Sequence, residues 1–364
     1  MNLRQARFDD HWRHTFLRTY NTRFTDVSIE DLPCLANTKV EFSGGMSAIV
    51  GANGVGKSTL VAAIAELLAN ISPGVAEPYR PRLTGSKIAG TAVVEGAELH
   101  LKVQDDGAGL RIVAGDRYGG EFRWLEPSSL ASRCLSQIED DQNFDDLLES
   151  VTPLHLDPDE LSIASYLVGK KYTEFEIYEI ADYGEMDRFP YLRASAAGVS
   201  YGSECMGRGE LSLMLTYWTL RDLPKNSILI LEEPETHVSP RSQDCLMNIV
   251  AKFCDEKGIW VLTTTHSPTI IRHIPGKHLK LIARGNGPAA VVKNATNADI
   301  AFILGGGVAF RGALWSRMLA QRDLYSEFLR SARPISRDSS KLLSPDQPVR
   351  LTKLCKGCHA LRVG

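Results

Sequence analysis

Three short apolar runs along the chain are each followed at once by residues of a different character. Ser47–Val50 leads into a glycine-rich stretch, Ile228–Leu231 into two adjacent glutamates, and Trp260–Thr264 into the sequence Thr-His-Ser-Pro. Short continuous apolar runs that end at such breaks are typical of fully buried strands. The pattern therefore predicts three buried strands, each with polar residues of chemical interest at its end.

The segments between these runs predict helices and a second group of strands. Apolar residues recur with a helical period in Leu60–Leu68, and Ser239–Glu256 begins with Ser-Pro, a frequent helix start. Thr91–Trp124 alternates apolar and polar residues between turn signals, which predicts three or four antiparallel strands. Ser128–Tyr183 is acidic, and we predict that it is mostly helical. These elements indicate an α/β fold with a largely parallel sheet, an antiparallel lobe and a helical lobe.

The composition adds limits on the class of protein. The chain has 364 residues, of which 43% are hydrophobic, as is usual for a globular protein of about two domains. It has no apolar run of roughly 18 residues and begins with a charged stretch. We therefore expect no membrane span, no secretory signal and a cytoplasmic location. The 7 scattered cysteines are consistent with reduced thiols in that compartment.

The net charge of −3 is distributed unevenly. Residues 311–364 contain 11 Lys and Arg against 4 Asp and Glu, a net of +7, so the rest of the chain carries −10. A basic tail can contact nucleic acid, although a merely solvated tail would have the same composition. DNA is therefore one candidate partner.

The glycine-rich stretch after the first apolar run has the form G-x-x-x-x-G-K-[ST] from Gly51 to Ser58. A strand before it and a helix after it are the context that this phosphate-binding loop requires. Glycines allow backbone N–H groups to form an anion-binding concavity at the start of a helix. The alternative is a glycine-rich turn with no ligand. The predicted nucleotide-binding residues are Gly51, Ala52, Asn53, Gly54, Val55, Gly56, Lys57, Ser58 and Thr59.

The two glutamates after the second apolar run supply the acids that such a loop needs. Lys57 would reach the β- and γ-phosphates, and Ser58 and Glu232 would hold Mg²⁺. Successive residues of a strand point to opposite sides, so Glu233 has a different role and would activate the attacking water. A structural alternative is that the two glutamates merely end a strand.

A histidine at the end of the third apolar run is a further candidate. His266 lies 33 residues after Glu233, at a predicted strand end near the nucleotide. There it could bond the γ-phosphate and act as its sensor, and we include it with Glu233 and Lys57 as a catalytic residue. A single histidine of this kind can also be purely structural.

A second glycine-rich turn precedes another predicted helix. Gly207, Arg208, Gly209 and Glu210 stand before a run of apolar residues, with Gly209 24 positions before Glu233. A glycine-rich turn that opens a helix is again a candidate anion site. We therefore add these four residues to the predicted nucleotide-binding set.

The stretches GANGVGKST, MGRGE, LILEEPETHVSP and TTTHSP together resemble an ABC-type ATPase head. The likeness covers about residues 24–305 and is greatest to the RecF/SMC-like, OLD-like (overcoming lysogenization defect) branch. It implies ATP and Mg²⁺ as ligands and a homodimer or higher homo-oligomer in which two heads sandwich the nucleotides. The turn at Gly207–Glu210 would then contact ATP bound to the partner.

The second glycine-rich turn departs from the pattern of that family, L-S-G-G-[QE]. Gly207 stands where a serine is expected, and Arg208 where the first glycine is expected. Arg208 could contact phosphate in trans as an arginine finger, or it could be a surface arginine on a capping turn. The glutamine loop of the family has two candidates, Gln137 and Gln142.

OLD-like proteins usually continue into a TOPRIM nuclease domain, which needs a glutamate and a D-x-D pair for Mg²⁺. No D-x-D follows His266, and the roughly 55 residues of the tail are too few for that domain. We therefore expect no nuclease activity in this chain. The hypothesis for the tail is a truncated or frame-altered remnant.

The expected domain organisation is one ATPase head at 1–305 and a basic tail at 306–364. Within the head, 90–125 would form the antiparallel lobe and 126–215 the helical lobe with the second glycine-rich turn. The expected function is Mg²⁺-dependent ATP hydrolysis in anti-phage defence or DNA repair. An alternative is an ATP-gated switch that controls a separate effector nuclease or toxin. A transporter subunit is disfavoured by the EEPE and TTHSP sequences.

Overall fold

The structure is a computed structural model that describes residues 5–32, 34–69, 79–105, 111–184, 186–284, 288–292 and 300. The helices are α1 (Gln5–Leu17), α2 (Lys57–Leu68), α3 (Pro127–Asp140), α4 (Phe144–Glu149), α5 (Pro158–Val168), α6 (Arg208–Asp222), α7 (Pro240–Lys257) and α8 (Pro268–Ile271). The strands are β1 (Arg23–Glu30), β2 (Thr38–Glu41), β3 (Met46–Val50), β4 (Lys87–Val94), β5 (Ala97–Asp105), β6 (Arg111–Gly115), β7 (Phe122–Leu125), β8 (Leu154–His155), β9 (Tyr172–Tyr183), β10 (Met186–Ala196), β11 (Val199–Gly202), β12 (Ile228–Glu232), β13 (Trp260–Thr265), β14 (Leu279–Arg284) and β15 (Ala289–Val292).

A mixed sheet in the order β15-β14-β3-β13-β12-β7 forms the centre of the fold. Its strands β14, β3, β13, β12 and β7 are parallel, and β15 pairs antiparallel to β14. All residues of β3, β12 and β13 are buried, as their continuous apolar sequences predict. The three predicted buried strands are thus neighbours, and their carboxyl ends lie at one edge of the sheet.

Two antiparallel sheets flank this centre. One has the order β2-β1-β4-β5-β6, and the other has the order β11-β10-β9-β8. Helix α2 contacts both β13 of the central sheet and β4 and β5 of the first antiparallel sheet. All but one of its residues are buried for that reason. The helix that follows the phosphate loop is therefore held from two sides.

The antiparallel lobe differs from the prediction at both ends. Strand β7 does not belong to it: Phe122 pairs with Ile228 and Leu125 with Leu231, in parallel register within the central sheet. The lobe instead recruits β1 and β2 from the beginning of the chain. Alternating apolar and polar residues show that one face of a strand is buried and the other exposed. They do not show with which strand it pairs.

The prediction that Ser128–Tyr183 is mostly helical is wrong for its last part. Tyr172–Tyr183 is the strand β9, and it pairs along almost its whole length with β10. Phe175 and Ile177 are buried on one face of the sheet and Tyr178 and Ile180 on the other, so apolar residues contribute to both faces of β9. Aromatic and β-branched residues favour strands, and the acidic residues among them concealed this signal.

None of the helices within the described ranges combines the length and apolar character that crossing a membrane requires. The predicted basic tail, 306–364, lies outside the described residues.

The end of α6 is held by a lysine from α7. The Nζ atom of Lys257 donates hydrogen bonds to the carbonyl oxygens of Leu220 at 3.1 Å, Arg221 at 2.7 Å and Leu223 at 2.8 Å. The last carbonyl groups of a helix have no partner within it, and a cation near them also interacts favourably with the helix dipole. Lys257 thus joins the two longest helices within the described residues.

We expect Lys257→Met to lower the free energy of unfolding by about 1–2 kcal/mol, because it removes three charge-assisted hydrogen bonds at a partly solvated site. Urea denaturation followed by circular dichroism measures this change. Lys225→Met, at an exposed turn position nearby, is the matched control and should change stability by less than about 0.5 kcal/mol. Equal effects of the two substitutions would contradict the capping role.

Candidate active site

A cavity of about 640 Å³ lies at the carboxyl edge of the central sheet. Ligands of parallel α/β sheets characteristically bind at this edge. Its lining combines the glycine-rich loop, the two acids at the end of β12 and several residues from other segments. These residues are Cys34, Asn53, Gly54, Gly56, Lys57, Ser58, Thr59, Tyr79, Pro81, Arg82, Glu126, Glu232, Glu233 and Arg284. The fold thus brings together residues that are up to 250 positions apart.

The loop before α2 has the backbone that its glycines were expected to allow. Gly54 and Gly56 have φ angles of 74° and 105°, in the region that favours glycine. Gly51 is needed for another reason, because a Cβ atom there would lie 2.5 Å from the carbonyl oxygen of Ile282. The backbone of the loop can therefore lie close to β14, and its N–H groups are at the start of helix α2.

Lys57 occupies the centre of the site, and its side chain is only 5% exposed. Its Nζ atom donates hydrogen bonds to the carbonyl oxygens of Gly51 at 3.0 Å and Ala52 at 3.2 Å. It also lies 2.9 Å from Oε1 of Glu233. A buried ammonium group requires such a partner, and Glu233 provides the negative charge.

Glu232 is buried against the start of α2 and against β7. Its Oε2 atom accepts a hydrogen bond from Nε1 of Trp124 at 3.0 Å, and its carboxylate is hydrogen-bonded to the Ser58 side chain. Burial raises the pKa of Glu232, while the hydrogen bonds from Ser58 and Trp124 act in the opposite direction. Ser58 and Glu232, which were predicted to hold Mg²⁺ together, are therefore in direct contact.

Glu233 has a strained backbone, with a φ angle of 45°. Its N–H group donates to the carbonyl oxygen and to the side-chain Oγ1 of Thr264, both at 3.1 Å. These bonds to β13 hold the residue in place immediately after β12 ends. The turn separates the two carboxylates, so that Glu233 contacts Lys57 while Glu232 contacts Ser58.

His266 lies on the other side of Glu233. Its Nδ1 atom is 2.7 Å from Oε2 of Glu233 and 3.2 Å from Oε1 of Glu235. The same Oε1 atom of Glu235 accepts hydrogen bonds from the His266 N–H group at 2.8 Å and from Oγ1 of Thr265 at 2.7 Å. Glu235 therefore fixes the end of β13. The ligand atoms of the two glutamates and the histidine lie within 4.8 Å of one another, as a cation site would require.

Glu126 is a site residue that the sequence did not reveal. It follows β7 directly, lines the cavity and is hydrogen-bonded to the side chain of Tyr79. Burial and then the charge of Glu233 raise the pKa of Glu126. Tyr79 packs on Trp124 with ring centroids 4.6 Å apart, and the Arg82 guanidinium lies 5.2 Å above the Tyr79 ring. The assignment of β7 to the antiparallel lobe concealed this position.

The two glutamines considered for the glutamine loop do not line the cavity. Gln137 lies within α3 with its amide against Gly184, and Gln142 lies between α3 and α4. Glu126 lines the cavity together with Glu232 and Glu233.

The second glycine-rich turn lies at the start of α6, and none of its four residues lines the cavity. Arg208 donates to Oγ of Ser132 at 2.6 Å. A Cβ atom at Gly209 would collide with the carbonyl oxygen of His237, so the turn packs closely on the loop that follows Glu233. Contact of Gly207–Gly209 with a nucleotide remains a prediction, and within one chain the turn and the cavity are separate.

The side chain of Glu210 is turned away into a buried network. It accepts hydrogen bonds from Tyr172 at 2.6 Å and Tyr201 at 2.7 Å and pairs with Lys170 at 2.5 Å. Burial opposes its ionisation, but these three partners outweigh burial and lower the pKa of Glu210. The network attaches α6 to β9 and β11, so Glu210 has a structural task in addition to the nucleotide contact predicted for it.

Comparison with known proteins places the fold. Residues 97–272 match a family model described as AAA domain, putative AbiEii toxin, Type IV TA system, and residues 26–88 match one described as AAA domain. No curated protein matches the chain. The matched segments contain the two acids and the glycine-rich loop respectively, so the chain carries AAA-type ATPase domains.

Solved structures agree with this result. The Smc head domain with a coiled coil and joint from Pyrococcus yayanosii superposes with a TM-score of 0.53 and 10% identity, over 78% of this chain and 99% of that chain. An SmcHead bound to the C-winged helix domain of ScpA gives 0.50 and 14%, over 74% and 97%. RecF bound to ATP gives 0.45 and 12%, over 75% and 100%. The fold is that of a P-loop NTPase with the architecture of an SMC-type ATPase head, which confirms the predicted fold class.

The raised pKa of Glu126 makes the stability of the folded protein depend on pH. Because burial and Glu233 raise the pKa of Glu126, ionisation of Glu126 costs the folded protein free energy above that raised pKa. The cost disappears as the pH falls and the carboxyl group is protonated. We expect Glu126→Gln to raise the Tm without metal or nucleotide by about 1–3 °C at pH 8, and by less toward pH 5. Glu98→Gln, on the exposed side of β5, is the control, and a pH-independent gain would contradict this cause.

The ion pair of Lys57 and Glu233 predicts a change in nucleotide affinity. Phosphate oxygens and Glu233 compete for the same ammonium group, so Glu233→Gln should tighten ADP binding about three- to tenfold. Calorimetry in EDTA measures this without a metal ion and without hydrolysis. Glu232→Gln removes the same charge but not a Lys57 contact, so its gain should be smaller; equal gains would mean that only charge repulsion had changed.

Proposed function

We propose that this protein binds and hydrolyses ATP in the presence of Mg²⁺ and works as a head-to-head homodimer or higher homo-oligomer. The observation that carries the proposal is the meeting of two distant segments in one cavity. Lys57 pairs with Glu233, and Ser58 bonds Glu232, although 175 positions separate Lys57 from Glu232. A cation, a helix N-terminus and two acids at one point form the set of groups that phosphoryl transfer to water requires.

The triphosphate would lie along the loop of residues 51–59, with Lys57 turned from Glu233 to the β- and γ-phosphates. Glu233, released from Lys57, would accept a proton from the attacking water, and His266 beside it would orient this carboxylate and contact the γ-phosphate. The Nδ1 atom of His266 already lies 2.7 Å from Oε2 of Glu233. Lys57 contacts Oε1 of Glu233 and His266 contacts Oε2, so the two residues do not compete for the same oxygen.

The residues of the site fit a magnesium ion. Ser58 and Glu232 supply oxygen ligands of the type that Mg²⁺ prefers, and burial disfavours the ionised form of Glu232 unless a cation is near. Glu126 stands beside them as a further acid. When bound, Mg²⁺ would neutralise charge on the phosphates.

The turn at Gly207–Glu210 supports the sandwich arrangement. It lies outside its own cavity at the exposed start of a 15-residue helix, where an anion from a second subunit can be bound. We propose that Gly207, Arg208 and Gly209 contact the nucleotide of the partner, and that Glu210 holds the turn in position. The head would comprise 1–305, with 306–364 as a tail.

A role in anti-phage defence or DNA processing follows from the OLD-like resemblance and from the SMC-type fold. The SmcHead described above is bound to a domain of ScpA, so a head of this architecture can carry a protein partner. A second candidate function is a switch in which ATP engagement controls a separate nuclease or toxin. The description of the family model at 97–272, a putative toxin of a toxin–antitoxin system, favours this candidate. Glu233→Gln separates the two, since a switch would retain its effect with binding alone.

The test measures ATP hydrolysis by purified protein with and without Mg²⁺. We expect Lys57→Ala to lose nucleotide binding and Glu233→Gln to retain binding while hydrolysis falls at least about 100-fold. Arg208→Ala should lower hydrolysis with little change in affinity, because its contact is made only across the dimer.

A mixture of the Lys57→Ala and Arg208→Ala proteins distinguishes contact in trans from contact in cis. Each mixed dimer would contain one intact loop facing one intact turn, so hydrolysis should recover to about a quarter of the wild-type rate. Absence of recovery, with dimers present by light scattering, would contradict the sandwich. No Mg²⁺-dependent hydrolysis by the wild-type protein would contradict the proposed activity itself.

A further inference from the structure

The cavity continues past the phosphate loop to a wall that the proposed chemistry does not use. Cys34 and Arg284 line this wall. Cys34 lies in the loop between β1 and β2, and Arg284 is the last residue of β14.

The order of the strands indicates which part of a nucleotide would lie at this wall. Strand β14 lies on one side of β3, whereas β13, β12 and β7 lie on the other side. Glu232, Glu233 and Glu126 therefore mark one end of the cavity, and the terminal phosphate belongs there. Tyr79 is at the same end, because it packs on Trp124 of β7. The base and ribose must extend from the loop in the opposite direction, toward β14.

Arg284 lies at that end, as the last residue of β14. Strand β14 pairs with β3 up to Leu281 and Val50 and then continues beside Gly51. The carbonyl oxygen of Cys34 accepts a hydrogen bond from a terminal guanidinium nitrogen of Arg284 at 3.4 Å. It also accepts one from the Ala289 N–H group at 3.0 Å, which joins the β1–β2 loop to β15. The β1–β2 loop and β15 are thus tied together beside this arginine.

The guanidinium group itself is exposed to the cavity. Within the described ranges it has no carboxylate partner, unlike the arginines that form the ion pairs of the surface. A planar guanidinium group stacks on aromatic rings, and it offers hydrogen-bond donors but no acceptor. Stacking of this kind is available to any base, so it gives affinity without strong preference among purines.

We propose that Arg284 is the nucleobase-contacting residue of this site and stacks on the purine of the bound nucleotide. The proposal rests on the proposed function, since it concerns the same cavity. It adds a division of the nucleotide between two groups of residues. The loop and the acids bind the phosphates, and Arg284 binds the base of ATP or GTP alike.

Calorimetry with ADP, GDP and pyrophosphate tests this division. We expect Arg284→Ala to weaken ADP and GDP binding about five- to thirtyfold and to leave pyrophosphate binding unchanged. Arg284→Lys keeps the charge but not the plane, so it should lose most of the same affinity. Arg13→Ala, an exposed arginine on α1, is the matched control and should change none of the three.

An equal loss for ADP and pyrophosphate would show that Arg284 binds phosphate and would overturn the proposal. So would unchanged affinities in a folded Arg284→Ala protein, or full retention of ADP affinity by Arg284→Lys. Circular dichroism establishes folding, and the lysine variant serves if the alanine variant does not fold. A wild-type protein that binds neither ADP nor pyrophosphate would instead refute the proposed function.

Discussion

A lysine ammonium group buried in a protein requires a negative charge, and the centre of this molecule is arranged around that requirement. Lys57 meets it with Glu233 in the resting site, and a phosphate would meet it in the occupied site. The same requirement explains why Glu233 adopts a strained backbone conformation beside β13. The hydrogen bonds that its N–H group donates to the carbonyl oxygen and Oγ1 of Thr264 hold it in this conformation.

The acids around the lysine form the other half of this arrangement. Glu232 and Glu126 are both placed where burial disfavours their charge, and each is steadied by a hydrogen bond from an aromatic residue, Trp124 or Tyr79. A site of this kind gains from binding a cation and is less stable without one. The central sheet supports it, because β3, β12 and β13 are buried along their whole length and leave their ends rigid.

The connection between the cavity and the turn before α6 is made through backbone. Gly209 lies so close to His237 that only glycine fits, and His237 follows Glu233 within one loop. Glu210, next to it, is anchored by Tyr172 of β9, Tyr201 of β11 and Lys170, which lies just before β9. The turn, the loop after β12 and the hairpin β9–β10 therefore form one continuous block that reaches from the site to the exposed start of α6.

The sequence by itself determined the phosphate loop, the three buried strands and the residues at their ends. These depend on local chemistry: glycines permit unusual backbone angles, and unbroken apolar runs must be buried. Only the tertiary structure decided that β7 joins the central sheet, that Tyr172–Tyr183 is a strand, and that Glu126, Glu235 and Arg284 belong to the site. The physical reason is that pairing between distant strands determines which residues become neighbours. A periodic pattern shows which face of a strand is buried, but it does not show against which partner.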